Sequence, residues 1–206
     1  MKKTAVLLDL GFLLHKLRPI LGNRQATALE VRDFALRCLQ TDEELFRIYC
    51  YHCLPYARRE THPLTGAVID FSATSKFKSM SHFVDDLEVL DNVAFRCGQL
   101  SFDGWLIKHS SALSVIRTGR VLKSNDFEPD LKQMHVDMKI GLDVAWLSSK
   151  GIVDRVILVT ADSDFVPAMK FARREGVQVV LVTMGHTLVK GELKVHADEL
   201  RSVVYP

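Results

Sequence analysis

A chain of 206 residues is long enough for one domain of moderate size carrying an elaboration, and too short to be read as two independent domains. Its 48% hydrophobic and 25% charged residues are an ordinary globular composition, which argues against a disordered or low-complexity chain. With 27 Lys plus Arg against 25 Asp plus Glu, the formal net charge of +2 excludes a strong overall field, so an anionic partner must be met by a local patch.

TAVLLDL, residues 4–10, is a nearly continuous apolar run, the pattern of a strand covered on both faces. The opening MKKTAVLLDLGFLL has the charge-then-apolar order of a secretory leader, but Asp9 interrupts it and HKLRP restores charge, so a core strand is expected. After Pro19 and Gly22, ATALEVRDFALRCLQ sets Ala28, Val31, Ala35, Leu36 and Leu39 at helical spacing. Thr27 and Glu30 stand as a capping box before it. RIYCYHCL, residues 47–54, reads as a second strand stopped by Pro55.

Residues 55–75 are polar and turn-rich, MSHFVDDLEVL has helical spacing, and VAFRCGQLSF with DGWLIKHS reads as a strand, a turn and another strand. The whole stretch 55–130 is expected to be a variable elaboration within a single domain 1–206. Beyond it, QMHVDMKIGLDVAWLSSKG reads as an amphipathic helix ending at Gly151, VDRVILVTA as a strand and DFVPAMKFARREG as a helix. VQVVLVTMG is a strand, GELKVHADELR a final helix and SVVYP a short closing strand. Repeated alternation of strand and helix predicts an α/β fold, a three-layer sandwich whose mainly parallel central sheet has helices on both faces. No stretch is long and apolar enough to cross a bilayer.

Cys38, Cys50, Cys53 and Cys97 are too few for a disulfide framework, so they are expected to be reduced and the protein cytoplasmic. Cys50 and Cys53 have C-x-x-C spacing, but zinc needs a second pair, and a position inside the apolar run IYCYHCL suits buried structural thiols better.

Acidic residues gather where such a sheet binds ligands, beyond the carboxyl ends of its strands. Asp9 lies near the end of the first strand, and Asp162 and Asp164 follow VILV. Asp137 and Asp143 come from the helix HVDMKIGLDVA. Carboxylates packed together resist full ionisation, and a divalent cation such as Mg²⁺ or Mn²⁺ relieves that repulsion through oxygen ligands and retained water. Six helical residues turn through about 600°, leaving Asp137 and Asp143 roughly 120° apart, so Asp137 at the helix start ranks above Asp143. Capping of a helix by Asp164 or Ser163 explains TADSDF equally well when those residues are taken alone. Asp9 is harder to explain that way, because a carboxylate in an apolar strand needs a partner.

The run VDRVILVTADSDFVPAMKFARREGVQVVLV resembles the signature of the NYN domain, a branch of the PIN-like nuclease superfamily. HVDMKIGLDVAWL is similar to that family's preceding helix, and LLDLGFLL to its first strand. The likeness covers roughly 4–40 and 132–206. It implies a PIN-like fold and a Mg²⁺- or Mn²⁺-dependent nuclease acting mainly on RNA. By the same likeness Asp9, Asp137 and Asp162 would hold metal, Asp164 would complete the catalytic group, and Asp143 and Thr160 would support it. The family's Lys-Gly before the helix Asp is replaced here by Met134-His135, and Phe12 stands where many relatives carry Asn.

Basic residues cluster in the middle segment as Arg58, Arg59, Lys76, Lys78, Arg117, Arg120 and Lys123, a pattern that either phosphate contact or ordinary solvated loops explain. Tyr56, Phe77 and Trp105 lie among them as stacking groups for bases or as the segment's own small core. There is no glycine-rich phosphate loop. Three functions follow: a metal-dependent ribonuclease, an RNA-binding or adaptor module with a degenerate pocket, and, ranked lowest, a phosphatase, since Gly11 occupies the place where a haloacid-dehalogenase-type enzyme needs Asp. The sequence leaves the oligomeric state open, a homo-oligomer included.

Overall fold

The computed structural model describes residues 1–185, 191–203 and 205. Its backbone separates into two compact units, the larger made of Met1–His52, Phe83–Gly98 and His135–Pro206, the smaller of Cys53–His82 and Gln99–Met134.

In the larger unit β1 (Lys2–Asp9) buries every residue from Thr4 to Leu8, which is why that run is apolar on both faces. Its two neighbours, β2 (Glu43–Cys53) and β7 (Arg155–Val159), both run parallel to it. Beyond β7 lie β8 (Gln178–Val182) and β9 (Glu199–Arg201), again parallel. Crossovers between parallel strands need helices. The unit supplies α2 (Ala28–Arg37) before β2, α5 (Val136–Ser149) before β7, and α6 (Val166–Arg174) between β7 and β8. The Thr27–Glu30 capping box opens α2, which buries Ala28, Val31, Phe34 and Ala35. At the start of β2 the buried Glu43 carboxylate is clamped by Arg155 and Arg201.

The smaller unit contains the hairpin β3 (Arg59–Thr61) and β4 (Val68–Asp70), the start of α3 (Ser75–Glu88), and α4 (His109–Thr118). The later part of β5 (Val93–Ile107) pairs antiparallel with β6 (Phe127–Met134). Tyr56, Phe71, Phe102 and Trp105 pack ring to ring there, with His62 against Trp105 and Phe127. Among the described residues the hydrogen-bonded order of the main sheet is β6-β5-β2-β1-β7-β8-β9, seven mostly parallel strands flanked by helices. No helix among these residues is long and apolar enough to cross a membrane.

Five local expectations change. The run after β1 turns at Asp9 into a helix, α1 (Leu10–Ile20), whose Leu10, Leu13 and Leu17 are buried at helical spacing; their neighbours are also apolar, which hid the period. Asp103-Gly104 is a bulge within β5 instead of a turn between two strands, and Gly104 takes a φ of 111° there. Neither α4 nor β6 was legible, because neither has a fully buried residue to set a period. Helix α5 begins at Val136 and is apolar toward solvent as well as toward the core, so it is not amphipathic. At the C-terminal end the helix stops at α7 (Gly191–Val195) and the closing strand is β9, upstream of SVVYP, of which Val204 and Pro206 lie outside the described residues.

Candidate functional site

Parallel register brings the first two acidic segments together. Leu8 of β1 pairs with Val159 of β7, so Asp9 and Thr160 leave the sheet side by side at its carboxyl edge. Asp9 is half-buried and serves as the N-cap of α1, its Oδ1 accepting the Phe12 N–H at 3.2 Å. Its Oδ2 accepts the hydroxyl of the fully buried Thr160 at 3.2 Å. Thr160 in turn accepts the Asp162 N–H at 3.2 Å, and Asp162 Oδ1 accepts the Asp164 N–H at 3.0 Å. The cap of the 3₁₀ turn Ser163–Phe165 is therefore Asp162, where the sequence suggested Asp164 or Ser163, and it engages through one oxygen.

Helix α5 delivers the third segment. Asp137 is its second residue and reaches solvent, yet partial burial raises its carboxyl above the ordinary range, and the charges of Asp162 and Asp164 raise it further. Burial also raises Asp9; the hydrogen bonds from Phe12 and Thr160 pull it down, and Asp137 and Asp162 push it up again. The charges acting on both groups are thus other carboxylates. Asp9, Asp137, Asp162 and Asp164 share one electrostatic neighbourhood.

Asp143 does not join them. Its Oδ2 accepts the Tyr51 hydroxyl at 2.8 Å and the Arg96 Nε–H at 3.0 Å, which places it in an ion pair beside β2. Tyr51, whose register partner is Asp9, is fully buried, and burial pushes its phenol up. Arg96 and Tyr51 were missed in the sequence, although a tyrosine inside a buried strand needs a partner for its hydroxyl. His135 precedes α5 with a φ of 68° and no side-chain cap, so the position usually occupied by glycine in the resemblance is one that demands a left-handed backbone. Phe12 contributes its N–H to Asp9, and Lys16 Nζ lies 5.8 Å from its ring centre.

The basic candidates all belong to the smaller unit. Arg59 pairs with Asp70 at 2.9 Å, and Arg120 grips Asp126 through two bonds of 2.6 and 2.8 Å. Arg58, Lys76, Lys78, Arg117 and Lys123 are exposed and have no ion-pair partner among the described residues. Cys38, Cys50 and Cys53 are buried and in no disulfide among the described residues; burial pushes Cys38 up to about 12.

Among the described residues no three acidic, histidine or cysteine side chains close on one point as a ready metal cage. The donor chemistry nevertheless fits a hard divalent cation. Oxygen donors dominate, the carboxylates repel one another, and Mg²⁺ commonly takes only one or two carboxylates together with water and phosphate.

Comparison with known proteins agrees with this architecture. No curated protein matches the chain. A crystal structure of a protein of unknown function from Vibrio parahaemolyticus is similar, with a TM-score of 0.50 and 18% identity over 96% of this chain and 90% of that one. At that identity the likeness bears on the fold alone. The family profile of the NYN domain matches residues 72–203, which holds Asp137, Asp143, Thr160, Asp162 and Asp164 and leaves Asp9 and the first strand outside. That match spans more than half of the sequence, begins inside the middle segment, and ends beyond the strand β8 that follows the acidic turn. The chain belongs to the NYN domain family, with a nuclease-type fold.

Proposed function

We propose that the chain is a metal-dependent ribonuclease that hydrolyses RNA phosphodiester bonds at the carboxyl edge of β1 and β7. The observation that carries this reading is the joining of Asp9 to the Asp162 segment through Thr160 at one sheet edge, with Asp137 of a third segment close enough for the charges of Asp162 and Asp164 to act on it. Keeping such a group in a folded protein costs stability unless a ligand relieves it. Asp9, Asp137 and Asp162 would hold Mg²⁺ or Mn²⁺. When bound, the ion supplies a polarised phosphate and a water of lowered pKa. Asp164 would orient the attacking water, and Thr160 would keep Asp9 and the Asp162 backbone in register, a role its two hydrogen bonds support. Asp143 supports α5 from the Arg96 side. The five exposed cations of the smaller unit that lack an ion-pair partner among the described residues are the RNA contacts this reading favours.

A divalent titration with single-stranded and structured RNAs, run beside Asp9→Asn and Asp162→Asn, tests the proposal. Cleavage that needs Mg²⁺ or Mn²⁺ and falls at least about 100-fold in both variants supports it. Equal cleavage by the variants rejects the site.

A second reading, a non-catalytic RNA-binding module, draws on two observations. No three-ligand cage is preformed among the described residues, and Asp9 and Asp162 are both occupied as helix caps. Retention of RNA without turnover at any divalent concentration would favour it.

A further inference from the structure

Past its first turn, helix α5 carries its charges on the side opposite to that of an ordinary surface helix. Lys139 turns inward and donates from Nζ to the Cys97 carbonyl at 2.6 Å, and Asp143 turns inward to Tyr51 and Arg96. Its outward face instead presents Met138, Leu142 and Trp146, exposed by 56%, 60% and 50% and stacked one turn apart. Gly141 and Ala145 lie beside that stripe and leave it flat. The inward face buries Val136, Ile140, Val144 and Leu147. A helix that is apolar on both sides is one that protein encloses on both sides.

We propose that a second copy of this chain covers the outward face, the two α5 helices packing antiparallel about a two-fold axis at Leu142. The stripe is its own complement. Met138 and Trp146 stand four residues to either side of Leu142, so the two-fold sets Met138 against the partner's Trp146 and Leu142 against the partner's Leu142. A thioether at an indole edge is a favourable contact, and the small residues let the helix axes approach. The three side chains expose on the order of 300 Å² per copy. Two copies therefore supply about half of the roughly 1,200 Å² at which specific interfaces begin, as an apolar centre with a polar rim to complete it. A nucleic acid or anionic membrane would want cations along the stripe; of the helix's own lysines, Lys139 is turned away and Lys150 lies past its far end. The proposal is independent of the nuclease reading.

Sedimentation equilibrium over about 1–100 µM protein tests it, with wild type, Leu142→Asp and Leu142→Cys compared. Wild type is expected to reach twice the chain mass, and Leu142→Asp to stay monomeric with an unchanged circular dichroism spectrum. Leu142→Cys is expected to form a reducible covalent dimer that wild type does not form, because only a residue on the axis meets its own copy. A monomeric wild type across that range overturns the proposal, as does a dimer that survives Leu142→Asp and fails to cross-link through Leu142→Cys.

Discussion

The Thr160 hydroxyl donates to Asp9 Oδ2 at 3.2 Å, tying the exits of two adjacent parallel strands to each other. The same oxygen accepts the Asp162 N–H, so one small side chain sets the spacing of two acidic segments. Thr160→Val keeps the shape and removes both bonds, leaving the Asp162 N–H and the half-buried Asp9 carboxylate each without that partner. A loss of about 1–3 kcal/mol in urea unfolding is expected, together with at least a tenfold fall in RNA cleavage. Thr160→Ser should recover most of both.

Repulsion within the acidic group has a pH signature in metal-free protein. A carboxyl that holds its proton more tightly when folded costs stability once it ionises. For Asp9 that penalty is absent below the unfolded value of 3.8, grows as pH rises through the higher folded value, and persists above it. With a chelator present, Asp9→Asn is therefore expected to melt higher than wild type at about pH 7.5 and to lose that advantage near pH 3. Thermal unfolding at the two pH values checks this; a variant less stable at neutral pH would contradict it.

Asp143 and Asp9 should part company under mutation. Asp143 is largely buried between Arg96 and the Tyr51 hydroxyl, so Asp143→Asn, which keeps an acceptor for Tyr51 and removes the charge, is expected to cost about 1–3 kcal/mol and to leave most of the cleavage intact. Asp9→Asn is expected to abolish cleavage while the fold survives. Kinetics and unfolding measured on both variants separate a supporting residue from a catalytic one.

The cations of the smaller unit fall into two groups. Arg59, Arg120 and Lys132 are committed to Asp70, Asp126 and Asp103, whereas Arg58, Lys76, Lys78, Arg117 and Lys123 are exposed and without an ion-pair partner among the described residues. Replacing Lys76 and Lys78 with Gln should weaken RNA binding and flatten its salt dependence by up to about two in the log–log slope. Replacing Arg120 should disturb the unit's fold first, visible in circular dichroism before any change in salt slope.

Much of the larger unit was legible because its signals are local. Ala5–Leu8 of β1, Val156–Val159 of β7 and Val179–Val182 of β8 are unbroken buried apolar runs, and the Thr27–Glu30 box marks α2 by itself. The smaller unit was opaque for the opposite reason. Its aromatic rings are half-buried and come from distant positions, and α4 buries nothing that would set a period. Within the site, the identity of the acidic residues was readable, but what each oxygen does was not. The role of Asp143 depends on Arg96 and Tyr51, which lie 47 and 92 residues away. The left-handed backbone at His135 is likewise something residue type alone does not announce.

The most direct test is a crystal of this protein soaked in Mn²⁺ and examined by anomalous diffraction. A peak about 2.1 Å from carboxylate oxygens of at least two among Asp9, Asp137 and Asp162 is the expected result. A saturating soak that places the ion elsewhere, or nowhere, would contradict the acidic edge as a metal centre.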